Sequence, residues 1–123
     1  MAKKILLVGH CGPDSSYLRM VIRQADKEAQ ILAADDQTEL GRQLEQPIDL
    51  VLLNRELGYG FTTDMGVDVI RELKQSHPQL RTMLVSNYPD AQKSAEAAGA
   101  LPGFGKREIG SQRVVDLLRS AMG

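Results

Sequence analysis

The chain has 123 residues, a mass of 13.5 kDa, 42% hydrophobic and 25% charged residues. A chain of this length buries about two-thirds of its unfolded surface, so one core suffices without staples, and the composition is too apolar for disorder. Fifteen basic residues nearly cancel sixteen acidic ones, leaving -1, and Trp is absent; a broad basic footprint and an aromatic platform for nucleic acid are both excluded.

The first apolar run is Ile5-Leu6-Leu7-Val8, bounded by Gly9 and Gly12-Pro13. Runs apolar at consecutive positions suit strands buried on both faces of a parallel sheet. Asp14, Ser15 or Ser16 is then expected to cap a helix with Leu18, Val21, Ile22 and Ala25 on one face. Ile31-Leu32-Ala33-Ala34 reads as the second strand. Asp36 or Thr38 opens a helix carrying Leu40 and Leu44, which ends before Pro47. The third strand is Asp49-Leu50-Val51-Leu52-Leu53. A helix with Val67, Ile70, Leu73 and Lys74 follows and stops near Pro78. Thr82-Met83-Leu84-Val85 is the fourth strand. Pro89-Asp90 starts an Ala-rich helix closed by Gly99. A weaker fifth run leads from Ala100-Leu101 to Phe104. Ser111 is expected to cap the last helix, with Val114, Val115, Leu117, Leu118 and Ala121 inward.

The alternation predicts an α/β fold, (βα) five times over, with one parallel sheet covered by helices on both faces. Residues 1–123 read as a single domain. The lone cysteine, Cys11, excludes an internal disulfide and a multi-cysteine zinc site, and mildly favours a reducing compartment. No stretch is long enough for a signal-peptide core or a membrane span, so a cytoplasmic protein with no membrane association is expected.

Ligand sites in such folds lie at the carboxyl ends of the strands. The residues there are Gly9-His10-Cys11, Asn54-Arg55-Glu56, Ser86-Asn87 and Gly105-Lys106. Gly103-Phe104-Gly105-Lys106 fails the spacing of a phosphate loop, because Ala stands at position 100 and Arg107 follows the lysine.

Taken in order, Lys4-Ile5-Leu6-Leu7-Val8, Pro47-Ile48-Asp49-Leu50-Val51-Leu52-Leu53-Asn54, Gly66, Val69-Ile70-Arg71-Glu72-Leu73-Lys74, Met83-Leu84-Val85-Ser86, Ala98-Gly99-Ala100 and Lys106 carry a resemblance. Over nearly its whole length the chain resembles the receiver domain of bacterial response regulators, the CheY-like fold. The resemblance implies strand order 2-1-3-4-5 and a phosphoryl-transfer pocket. In that family an acidic pair after the first strand helps hold Mg²⁺. An Asp ending the third strand takes the phosphoryl group, a Ser or Thr ends the fourth strand, and a Lys the fifth. The residue two beyond the third strand lends its backbone carbonyl.

This chain departs from that pattern. Gly9 and His10 stand at the acidic pair and Asn54 at the acceptor, while Ser86 and Lys106 match. Counting only these positions, three carboxylates and one lysine become Lys106 alone, so Mg²⁺ binding is not expected. No cofactor and no enzymatic activity are expected. Glu56 is a candidate new partner for Lys106. Gly103 stands where the family has a rotating aromatic, which puts Phe104 at the buried aliphatic position; a one-residue slip would instead make Phe104 the aromatic. The connection 54–66 is longer than usual, and Gly58-Tyr59-Gly60-Phe61 is expected to project beside the former phosphorylation position.

The expected function is therefore an atypical receiver in two-component-like (phosphorelay) signalling, acting by phosphorylation-independent protein–protein interaction. The candidate partner surface comprises Tyr59, Phe61, Lys93, Arg107 and Arg113, and a second copy of the chain is one candidate partner. The alternative is a small-molecule or anion sensor built on Lys106 and Ser86.

Overall fold

A computed structural model describes residues 2–123. The elements are β1 (Lys4–Val8), α1 (Gly12–Ala25), β2 (Gln30–Ala34), α2 (Gln37–Gln43), β3 (Leu50–Asn54), α3 (Gly66–Ser76), β4 (Thr82–Val85), α4 (Pro89–Ala97), β5 (Leu101–Phe104), a 3-10 turn (Lys106–Glu108) and α5 (Gln112–Met122). The five strands form one parallel sheet in the order β2-β1-β3-β4-β5.

The consecutive apolar runs are explained by two cores. Strand side chains alternate between faces. Ile5, Leu7, Leu50, Leu52, Met83 and Val85 enter one core with Leu18, Val21 and Ile22 of α1 and Val114 and Leu118 of α5. Leu6, Val8, Val51, Leu53 and Leu84 enter the other, with Leu40 of α2, Val69 and Ile70 of α3, and Ala95 of α4. Phe104 is 1% exposed and belongs to the first core.

Helix α1 starts earlier than its sequence suggests. Cys11 is the extended residue before it, and Pro13 sits in the first turn, where its missing N–H leaves no gap. Asp14 is therefore inside the first turn rather than capping it, and its carboxylate is available to a distant partner. Asp36 does cap α2, accepting the Glu39 N–H at 2.7 Å. Ser111 stands before α5, but its side chain makes no capping bond.

The long connection after β3 does not project freely. Glu56 and Met65 form an antiparallel bridge, and the Leu57 N–H donates to the Asp64 carbonyl at 2.8 Å. The tip of this hairpin folds back onto the start of α2. Gln37 N–H donates to the Gly60 carbonyl at 2.8 Å, and Thr62 donates to Gln37 Oε1 from both N and Oγ1, each at 3.2 Å. Phe61 is consequently half-buried against the second core rather than projecting from the loop with Tyr59. Tyr59 alone of the two aromatics is fully exposed.

The β4–β5 ladder is irregular between Met83 and Val85. Gln92 of α4 fills the irregularity. Its Nε2 donates to the carbonyls of Leu84 at 2.9 Å, Ser86 at 3.1 Å and Phe104 at 3.4 Å. Gly103 makes this possible: a Cβ there would lie 2.1 Å from the Leu84 carbonyl oxygen and 2.7 Å from Gln92 Oε1. The space that a side chain at position 103 would enter is thus taken by backbone and a glutamine amide.

Candidate functional site

The carboxyl ends of the strands bring Gly9, His10, Asn54, Ser86 and Lys106 to one end of the sheet. Asn54 closes β3, and its Nδ2 donates to the Gly9 carbonyl at 3.2 Å and the Glu56 carbonyl at 2.9 Å. One side-chain amide thus ties the loop after β1 to the loop after β3. Gly9 has φ +74°, a left-handed conformation that favours glycine. A Cβ at Gly9 would come within 2.5 Å of Leu57 Cδ2. Leu57, buried at the base of the hairpin, thus fills the space into which an acidic side chain at position 9 would grow.

Lys106 pairs with Asp14, across from α1. The expected partner Glu56 instead meets Arg55 at 2.9 Å, in an exposed pair. The local balance is therefore not a lone positive charge: Asp14 offsets Lys106. Sequence reasoning missed Asp14 because it reads as a capping residue. Its place in the first turn of the helix that follows β1, at the same end of the sheet as the close of β5, was the available signal. Lys106 in turn holds the Asp14 carboxyl below the usual carboxylate range, with Cys11 and His10 adding to the effect and partial burial opposing it.

Three further contacts join the remaining loops. The Arg55 guanidinium lies 4.5 Å from the centroid of the Tyr88 ring, joining the loops after β3 and β4. Asn87 Oδ1 accepts the Arg107 N–H at 3.1 Å, joining the loops after β4 and β5. Ser86 Oγ accepts the Tyr88 N–H at 3.1 Å and so braces its own loop. With Asn54 and the Lys106–Asp14 pair, side-chain contacts run from the end of β1 through β3, β4 and β5 to α1. They enclose a cleft of about 150 Å³ lined by Asn54, Arg55, Glu56, Val85, Ser86, Asn87, Tyr88 and Lys106.

Among the described residues, no three His, Cys, Asp or Glu side chains gather where they could hold a metal ion. No helix among them is long and apolar enough to cross a membrane. Lys93, Arg107 and Arg113 are all exposed, and Arg113 pairs with Glu108 at 2.9 Å.

No protein-family model and no curated protein match this sequence. Solved structures do match. The signal receiver domain of a DNA-binding response regulator from Colwellia psychrerythraea 34H superposes with a TM-score of 0.73 at 18% identity, covering 96% of each chain. The fold is the receiver fold. The receiver domain of NtrX from Brucella abortus gives a TM-score of 0.73 at 23% identity, over 96% of this chain and 97% of that one. In a longer NtrX chain from the same organism, the match takes up 28% of the length. The beryllofluoride-activated NtrC4 receiver domain, a dimer in solution, gives 0.76 at 17% identity, over 97% of this chain and 95% of that one. Strand order and helix placement agree with the sequence expectation.

On this receiver fold His10 is half-buried, with one ring nitrogen wholly out of solvent. Its Nε2 lies 2.8 Å from the Leu52 carbonyl, which can only accept, so the proton sits on Nε2. Nδ1 is then bare, buried and without a hydrogen-bond partner. Burial pushes the His10 pKa below its ordinary 6.5; the Leu52 carbonyl opposes this, Lys106 reinforces it, and Asp14 and Asp35 oppose it. A depressed folded pKa means that the unfolded chain takes up the proton first. The contribution of His10 is intact above pH 6.5 and is lost as pH falls from there through the folded value. Thermal unfolding should therefore move to lower temperature between about pH 7.5 and about pH 5.5, and His10→Gln, which does not titrate, should flatten that dependence. Asp14 acts in a separate window, below its ordinary value of 3.8.

Proposed function

We propose that this chain is an atypical receiver domain of a two-component-like pathway, acting through protein–protein contact without aspartyl phosphorylation. The carrying observation is Asn54. An amide stands at the end of β3, and its Nδ2 is committed to the carbonyls of Gly9 and Glu56. The amide nitrogen's lone pair is delocalised, so it is no substitute for a carboxylate nucleophile. The Glu56 carbonyl, which the family resemblance gives to the cation, here accepts from that amide.

The surroundings do not suit a divalent cation. Magnesium is held by carboxylates and other oxygen ligands in near-octahedral geometry. Gly9 has no side chain, Leu57 fills the adjoining space, and the nearby carboxylates of Asp14 and Glu56 are engaged by Lys106 and Arg55. We read the protein as needing no metal cofactor, as non-enzymatic, and as working in the cytoplasm. The anion-sensor alternative is not favoured. Lys106 has its counter-ion already, and the cleft of about 150 Å³ is smaller than the ~300 Å³ at which ligand pockets begin.

The test is incubation with a small-molecule phosphodonor and Mg²⁺, followed by intact mass. The unmodified mass is expected throughout. A stoichiometric phosphoryl adduct, on Ser86 or elsewhere, would overturn the proposal.

A further inference from the structure

Charge along this chain is unevenly placed. Residues 35–40 and 56–68 contain Asp35, Asp36, Glu39, Glu56, Asp64 and Asp68, and no Lys or Arg. With a total of -1, the rest of the chain carries five more positive charges than negative. The fold then puts the two segments together. The hairpin tip packs on the start of α2, where a Cβ at Gly60 would lie 2.9 Å from Asp36 Cβ. Glu56 and Asp68 have arginine partners, Arg55 and Arg71, but Asp35, Glu39 and Asp64 form no ion pair among the described residues.

The same corner carries a groove of about 500 Å³ along the hairpin, lined by Leu57, Tyr59, Phe61 and Met65, with Glu56 and Asp64 beside them. Tyr59 stands fully exposed at its tip. An exposed tyrosine beside an apolar groove is the composition of an interface anchor. Its ring face also attracts cations, as the Arg55–Tyr88 stack in this same chain illustrates.

We propose that the β3–α3 hairpin and the start of α2 form a docking surface for a Lys/Arg-bearing segment of a protein partner, with Tyr59 as its anchor. This names the partner chemistry for the protein–protein reading above and rests on that reading. A single metal ion does not fit, because no three ligating side chains converge among the described residues. Nucleic acid and anionic lipid surfaces are repelled by the same carboxylates. A second copy of the chain, offering its basic surplus, would make a heterologous, head-to-tail contact in which the two partners use different surfaces.

The experiment titrates the isotope-labelled protein with two short synthetic peptides and follows backbone amide shifts. One peptide alternates Leu with Lys and Arg; the other replaces each basic residue by Glu. The basic peptide should shift residues 35–40 and 56–65 in a salt-sensitive manner, and the acidic peptide should not. Tyr59→Ala, which changes no charge, should weaken binding about tenfold, and Asp64→Lys should weaken it further. Shifts elsewhere, no shifts, or an undiminished response in Tyr59→Ala would overturn the proposal, the last because binding would then be diffuse electrostatics. Sedimentation of the protein alone should show monomer. A self-association lost in Asp64→Lys would make a second copy the occupant and also overturn it. Neither readout involves a phosphodonor, so a phosphoryl adduct would remove phosphorylation independence and leave the peptide result standing, and the converse holds.

Discussion

Asn54→Asp lowers the stability of the folded chain by about 2 kcal/mol. The substitution is nearly isosteric, so packing is not the cause. Asn54 Nδ2 donates to the Gly9 and Glu56 carbonyls, and a carboxylate has nothing to donate. Two hydrogen bonds of about 1 kcal/mol each are lost, and two carbonyl oxygens then face an anion. Lys106 offers only partial relief, because turning to position 54 strands Asp14. Urea unfolding checks this: the midpoint should fall with the slope unchanged, and Mg²⁺ should not restore it. A variant as stable as the parent, or rescued by Mg²⁺, would show that the amide is incidental and that the site still accommodates a cation.

Strands and helix faces were readable because burial on both sides of a parallel sheet leaves a direct trace in the chain. Ile5-Leu6-Leu7-Val8 and Leu50-Val51-Leu52-Leu53 are apolar at every position since their alternate residues enter different cores. The positions of Gly9, His10, Asn54, Ser86 and Lys106 were readable for the same reason, being fixed by strand ends. Their partners were not. Lys106 reaches Asp14 rather than Glu56, and that choice depends on where α1 begins, which turned on Pro13 in the first turn rather than on Asp14 as a cap. Leu57 carries no motif or periodicity that marks it; its role follows from the hairpin that presses it against Gly9. Gln92 lies on a helix with no sequence signal for binding backbone, and only the irregular β4–β5 ladder makes its amide necessary. Periodicity encodes which face a residue occupies. It does not encode the path of a loop or the register of an irregular strand pair.

Gly103→Phe, which installs an aromatic at the position that alignment on Lys106 gives to the family's, destabilises the chain by more than about 3 kcal/mol. The damage begins at Cβ. That atom would sit 2.1 Å from the Leu84 carbonyl oxygen, which is backbone and cannot rotate away. β5 would have to leave β4, and the Gln92 amide, 2.7 Å from the same point at Oε1, would be displaced. The carbonyls of Leu84, Ser86 and Phe104 would then lose a shared donor. Two consequences separate this from simple overpacking. Gly103→Ala should lose most of what Gly103→Phe loses, since the ring adds little to a clash already made by Cβ. Gln92→Ala should cost about 1–2 kcal/mol alone and should not rescue Gly103→Ala, because the backbone contact remains. Equilibrium unfolding of the single and double variants decides the matter. If Gly103→Ala falls within about 0.5 kcal/mol of the parent, the close approach of β5 to β4 is not a fixed feature. The position would then be free to carry a moving side chain, as in the family it resembles.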